Sequence, residues 1–571
     1  MPLKIHSLTA ATSLALMLLA SPSIAATGGS QVRIDSKLQQ VVIDSGSRQT
    51  KIPATHFPLE STCDFVDAAG NHLVTLVGEE GRGQQWQVGD KQGLLPTPVK
   101  VRDIALPPTA TTCVIDPISA TLFVNEEGVG LWAYPADAES ETSRTAVLLE
   151  SPYSEFKNIA AFTAVGGQVV VADPKLDVLA ILTPDSKGVW KETKRIPGGG
   201  LDALDVEILK VRQFVPGTLT LHAIGDDGER DIKVPWGSML DSRNATTAVP
   251  TVTVKPSAQT TPVARMGDAA DDPAIWVHPR DARKSLVLGT DKQGGLQVFD
   301  LQGKRLQDLR IGRVNNVDVR SGRIGNRMMH IAAASNRDNE TLHLFSIDEA
   351  TGKVKAIGEV PTQHKEIYGL CMAKDRNGAM YVIANQKDSL FVQYRLEPKA
   401  GNGVTASKVR EFKLGSQPEG CVSNDRTGEL FVGEEAEGVY VLALDPNAST
   451  AMRDVIKVGD VLHKDVEGLA IYNGAKRDYL IVSSQGNDRY VVLDAQAPYQ
   501  VRGIVRIMAD ARTGIDGASE TDGLEVTSAN LGGIYSQGMF VVQDGRKRMP
   551  EATQNFKYVP WRSIAEALKL D

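Results

Sequence analysis

The sequence predicts an all-β protein: a six-bladed β-propeller over residues 263–571, preceded by a truncated, propeller-like β domain over residues 27–245. Three observations predict it. In the second half an apolar strand runs six times into a small or polar cluster, at Gly289-Thr290-Asp291, Ala334-Ser335-Asn336, Ala384-Asn385-Gln386, Gly433-Glu434-Glu435, Ser483-Ser484-Gln485 and Val542-Gln543-Asp544. That recurrence, roughly 45 to 58 residues, suits a four-stranded blade. The strands that follow, such as Leu296-Gln297-Val298-Phe299 and Val439-Tyr440-Val441-Leu442, are rich in β-branched and aromatic residues. Helical periods, which parallel βαβ units would need between strands, are missing, and 52 glycines punctuate the chain with turns.

The two halves are related. At an offset of 308 positions, Cys113-Val114 and Leu122-Phe123-Val124-Asn125-Glu126-Glu127 fall on Cys421-Val422 and Leu430-Phe431-Val432-Gly433-Glu434-Glu435, and Cys63 falls on Cys371. Lys233-Val234-Pro235-Trp236 resembles the end of the second half at Lys557-Tyr558-Val559-Pro560-Trp561. The first half shows only four units, near Gly78, Asn125, Ala172 and His222. Four blades leave open sheet edges that something must cover. Residues 246–262, rich in Thr, Pro, Val and Ser, read as a linker, and a short helical pattern at 564–570 closes the chain.

At the N-terminus Lys4 and His6 precede an apolar run, residues 8–20, and then Ser23-Ile24-Ala25-Ala26. This is the pattern of a secretory leader, residues 1–26, cleaved near Ala25 or Ala26, and it predicts a secreted or periplasmic protein without a membrane span. A formal net charge of −8 without a long basic run disfavours nucleic acid as a partner. The cysteines Cys63, Cys113, Cys371 and Cys421 allow one disulfide per half or four small buried hydrophobes, and both readings stay open. Oligomeric state is not encoded in any feature of the sequence.

Nucleophile motifs are missing: there is no Gly-x-Ser-x-Gly elbow, no phosphate-binding loop and no paired-histidine metal spacing. Carboxylates stand instead at comparable points of successive units: Asp271-Asp272, Glu419, Glu434-Glu435, Asp465, Glu467, Asp516, Asp522 and Asp544. Gathered at one mouth of a propeller they would repel one another unless cations held them, and all-oxygen donors favour Ca²⁺. Among them lie Lys292, Arg337, Tyr368 and Lys387, donors suited to phosphate oxygens. Each has a plainer explanation taken singly: Asp271-Asp272 before Pro273 as a turn, the cations as surface charge. The internal comparison argues for chemistry. Tyr368 aligns with Glu60, Lys387 with Glu79, Glu419 with Thr111 and, across one gap, Glu467 with Asn158. The strand pattern survives in the first half and the polar set is lost together.

Residues 263–571 resemble the β-propeller phytases, the calcium-dependent alkaline phytase family. The matching runs are 268–276 (DAADDPAIW), 315–318 (NNVD), 332–337 (AAASNR), Glu419-Gly420, 465–469 (DVEGL), 483–487 (SSQGN) and 554–561 (QNFKYVPW). The first half resembles the incomplete domain of dual-domain members. The resemblance implies a phosphoric monoester hydrolase of the 3-phytase type that takes calcium-phytate as a small-molecule substrate. It implies that Asp272, Glu419, Glu435, Asp465, Glu467, Asp516 and Asp522 hold or border several catalytic Ca²⁺ ions, with Asp544 and Asp516 contributing to a stabilising calcium site. Lys292, Arg337 and Tyr368 would contact the phosphate being cleaved and Lys387 a neighbouring one; Gln293 departs from the second lysine common in the family. Two rival readings remain, a calcium-containing propeller lactonase or phosphotriesterase and a propeller that binds such a ligand without cleaving it. The first usually needs a channel histidine, and His330, His364 and His463 lie outside the repeated polar cluster.

Overall fold

The computed structural model describes residues 30–237 and 249–571, apart from 36, 54, 216, 401 and 402. The expected leader and the first residues of the expected linker lie outside the described residues. Among the described residues helix is confined to Leu201–Leu204, Trp561–Leu568 and short 3-10 turns; everything else that is regular is strand. The chain divides into two compact units, Met1–Ala136 with Thr142–Gly237, and Asp137–Glu141 with Ser238–Asp571.

Among the described residues the second unit contains six sheets that follow one another along the chain, antiparallel but for one added strand. Their innermost strands are Ala270–Trp276, Val314–Ile324, Ile367–Lys374, Pro418–Asn424, Val466–Asn473 and Leu524–Thr527. The second strand of each sheet is buried on both faces and reads as a continuous apolar run, as in Met380–Gln386 and Asp478–Ser484. The fourth strand of the first sheet, Arg305–Arg310, is half-exposed and alternates. The core is distributed between sheets. One cluster joins the first sheet to the second through Trp276, Leu288, Val317 and Phe345; others join each sheet to the next, and a sixth joins the last sheet to the first through Val541, Phe556, Val287 and Phe299. A wholly buried side chain such as Phe431 contributes about 1.5–3 kcal/mol.

The stretch expected as a linker is strand where it is described. Thr251–Val254 pairs in parallel with Val501–Ile507, and Ala258–Gln259 pairs with Asn555–Pro560 to become the fourth, outer strand of the last sheet. Thr and Val content, read as an unpatterned spacer, here serves edge strands whose partners lie about 250 and about 300 residues away. The terminal helix is likewise a packing element. Trp561, Ile564 and Leu568 are buried, and Trp561 stacks on Tyr472 with ring centroids 4.0 Å apart.

In the first unit the four units expected near Gly78, Asn125, Ala172 and His222 are each a sheet, and a fifth, three-stranded one precedes them: Ser30–Asp35, Gln40–Ser45 and Arg48–Lys51. Its short strands lack the apolar-to-small transition that marks the others. Both cysteine pairs are disulfides, Cys63–Cys113 and Cys371–Cys421, with Cα atoms 5.8 and 5.6 Å apart. Each links the inner strands of neighbouring sheets.

Candidate functional site

The site is built by a repeated irregularity of the second unit. Ala270 pairs with Asp291 and Pro273 with Gly289, so three steps on the first strand oppose two on the second. The same shift lies between Val314 and Val317, Ile367 and Leu370, Pro418 and Cys421, and Val466 and Leu469. These are β-bulges, and a bulge re-aims the residues it holds. The second residue of each bulged strand is Asp271, Asn315, Tyr368, Glu419 or Glu467. The residue just past each partner strand is Lys292, Arg337, Lys387, Glu435 or Gln485. Two positions per sheet, five times over, supply most of the candidate site. Glycine follows the functional residue where the next sheet presses in: a Cβ on Gly369 would lie 2.0 Å from the Glu419 carbonyl oxygen, and one on Gly420 would lie 2.1 Å from that of Glu467.

Glu419, Glu435 and Glu467 converge, each offering a carboxylate oxygen within 4.8 Å of the others. Burial, and then the neighbouring Glu419, holds the Glu467 carboxyl well above the usual range, and its Oε2 is buried without a hydrogen-bond partner. Burial pushes Glu435 up to about 7, against a 2.6 Å hydrogen bond from Gln417 Nε2 and with Glu419 and Asp465 adding to the rise. Beside them Asp522 accepts hydrogen bonds from Gln485 Nε2 and, at 2.9 Å, from Lys292 Nζ; burial still pushes it up to about 7. An orphaned buried oxygen amid crowded oxygen donors fits a hard divalent cation such as Ca²⁺.

The cationic side adjoins it. Lys292 Nζ lies 2.9 Å from Asp522, 3.3 Å from Asp271 and 2.7 Å from Asp268. Burial works against its charge, but Asp271 and Asp522 outweigh burial and raise its pKa. Arg337 Nη1 donates to Asn315 Oδ1 at 3.0 Å, and its guanidinium lies 5.6 Å from the centroid of the Tyr368 ring. Lys387 Nζ lies 4.9 Å from the same ring. Burial, with Glu419 and Glu467 close by, raises the Tyr368 phenol, which keeps its proton and remains a donor.

Three expected residues stand elsewhere. Asp272 follows Asp271 on the strand, so its side chain turns to the other face, where Oδ2 accepts from Val317 N at 3.0 Å and braces the neighbouring sheet. Asp271 is the member of the pair that faces Lys292 and Asp522. Asp516 and Asp544, expected to border calcium, are wholly buried around the ammonium of Lys557, which lies 3.1 Å from Asp516 Oδ1, pairs with Asp544 Oδ2 and donates to Asn555 Oδ1 at 2.7 Å. Lys547 adds a second ammonium 3.6 Å from Asp516. Asp516 Oδ1 is nevertheless buried without a hydrogen-bond partner, as is Oε2 of the neighbouring Glu139, so these ammonium groups do not satisfy every carboxylate oxygen of the cluster. Asp465 is exposed and neighbours Glu435. Gln293, in place of a second lysine, donates to the carbonyls of Met266 and Asp268 and so shapes the loop carrying Asp268.

The sequence reading named Asp271 without assigning it a role and missed Asn315, Gln417 and Gln485. The common signal was positional. Asn315 and Gln485 occupy the same two positions in their sheets as the charged residues, but neutral amides carry no charge pattern to mark them.

Residues 231–571 match the profile of the family described as phytase. The 3-phytase of Bacillus subtilis (strain 168) is 39% identical over 324 residues, which cover 54% of this chain and 84% of that protein. The chain belongs to the phytase family and is an enzyme with phytase activity.

Proposed function

We propose that the second unit is a six-bladed β-propeller, spanning the 263–571 domain together with the strands at 251–259, and that it hydrolyses phosphate monoesters of phytate in a calcium-dependent reaction. Inorganic phosphate and lower inositol phosphates would be the products. The ring is supported by the sequence of core clusters that returns from the last sheet to the first. The observation that carries the function is the junction, on repeated bulges, of an oxygen-only carboxylate cluster with Lys292, Arg337, Tyr368 and Lys387.

Glu419, Glu435, Glu467, Asp522 and Asp271 would hold Ca²⁺, with Asp465 at the rim, and the ion would supply charge neutralisation and a more acidic water. The residues themselves account for the rest. Lys292 and Arg337 present fixed positive charge to phosphate oxygens, Arg337 held in aim by Asn315. Tyr368 contributes a hydroxyl donor at the same place, and Lys387, beyond its ring, reaches towards an adjacent phosphate.

Residues 27–245 are proposed to be a domain without catalytic function. Two disulfides support secretion or a periplasmic location. The test is phosphate release from phytate with calcium and with EDTA. Release that requires calcium is expected; undiminished release in EDTA would overturn the calcium reading.

A further inference from the structure

We propose that Asn315 is a positioning residue for phytate hydrolysis, an amide that keeps Arg337 and Glu419 from neutralising each other. Its side chain is wholly buried and spans the boundary between the cationic and carboxylate sides of the site. Oδ1 accepts from Arg337 Nη1 at 3.0 Å, while Nδ2 donates to Glu419 Oε1 at 2.9 Å and to Asn316 Oδ1 at 3.0 Å. The amide orientation is dictated by its partners, since a guanidinium only donates and a carboxylate only accepts. Of the five bulge positions in the second unit this one alone is an amide; the others hold Asp271, Tyr368, Glu419 and Glu467.

The chemistry needs that composition. A small side chain between a guanidinium and a carboxylate must present an acceptor to one and a donor to the other, and asparagine does both. Aspartate would suit Arg337 but set a second carboxylate against Glu419. Alanine would leave half-buried Arg337 and buried Glu419 free to swing together, and an Arg337–Glu419 ion pair would remove one group from phosphate and the other from the cation cluster. Asn315 therefore preserves two opposed functions at short range. The bulge matters here as well, because it places Asn315 out of the ladder, where its amide is free of backbone pairing.

The inference rests on the proposed roles of Arg337 and Glu419, and its test separates the two. KM for phytate reports on Arg337, and the calcium dissociation constant, measured by titration calorimetry without substrate, reports on Glu419. Asn315→Ala is expected to raise both, KM by about tenfold. Asn315→Asp, a change of one atom group that preserves the acceptor for Arg337, is expected to return KM to about the wild-type value while the calcium dissociation constant stays high. A merely structural role would move both parameters together. Wild-type values for both in Asn315→Ala, or an Asp variant that follows Ala in both, would overturn the inference. Wild-type KM in Arg337→Ala would instead sink the site reading, and the inference with it.

Discussion

Glu419-Gly420 in the second half and Thr111-Thr112 in the first occupy the same place in two related sheets, and they solve it differently. In the second half the strand Pro418–Asn424 begins before the bulge, Glu419 projects from it, and Gly420 lets the next strand approach. In the first half the strand begins only at Cys113 and has no bulge. Asn125, which stands where the second half has Gly433, accepts from the backbone amides of Thr111 and Thr112 at 3.1 and 2.7 Å and donates to the Thr111 hydroxyl at 2.9 Å. A neutral side-chain clasp replaces an opening that holds charge. Glu60 and Glu79, aligned with Tyr368 and Lys387, are exposed. The disulfide and the inner strands were retained in both, so the scaffold does not depend on the polar set.

The comparison can be broken most severely at Glu467. Glu467→Gln should lower kcat by about 10²–10³-fold, whereas Asn158→Ala, at its first-half counterpart, should leave kcat unchanged. Comparable losses in the two variants would show that the first half also acts. Next comes Gly420→Thr, which installs the first-half residue: its Cβ cannot coexist with the Glu467 carbonyl, so a loss of about 3 kcal/mol is expected in denaturant unfolding. Thr112→Gly should cost far less, since no strand crowds it. Replacing Cys371 and Cys421 by serine should remove about 3 kcal/mol; a smaller change would mean that the clusters around the pair already hold the two sheets.

A pH comparison sharpens the electrostatic claim. In calcium-free protein Glu435 and Asp522 titrate about 7, above their unfolded values, so the folded state holds more protons between roughly pH 4.5 and 7. Stability should therefore fall as pH rises through that window, and the stabilisation gained on adding calcium should grow, because binding requires ionised carboxylates. Melting curves at pH 5 and pH 8, with calcium and with EDTA, check this; a calcium increment larger at pH 5 would contradict it. The smallest effect is expected at Asp544→Asn. With Lys557 paired to Asp544 and close to Asp516, calcium stoichiometry by titration calorimetry should not change, and loss of one ion per chain would support the calcium role expected from the sequence.

Much of this was legible in the sequence, and the gaps have physical causes. The apolar-to-small transitions marked the second strand of every sheet in the second unit, because a strand buried on both faces must be apolar until it leaves the core. Where the residue after the transition was charged, as at Lys292, Arg337, Lys387 and Glu435, it was therefore visible as a site residue; Gln485 at the same place was not. Bulges were not visible, since they are properties of pairing, and without them the alternation that separates Asp271 from Asp272 cannot be assigned a direction. Lys557 lies thirteen positions from Asp544 and on the adjacent strand, a relation that only the hairpin register reveals. The strands at 251–259 were missed because their partners are the most distant in the unit.

Those same strands bear on how the protein acquires its structure. Each of the first four sheets can form from consecutive chain, but the fifth lacks Thr251–Val254 until that strand meets Val501–Ile507, and the last is incomplete until Ala258–Gln259 meets Asn555–Pro560 across about 300 residues. Closure is therefore the contact with the greatest loop entropy to overcome, and it should come last in folding. During synthesis the early strands must wait, with unpaired edges, for the C-terminal segment to emerge. A fragment beginning at residue 263 would lack that outer strand altogether, so the practical boundary of an autonomous catalytic domain lies upstream of Thr251.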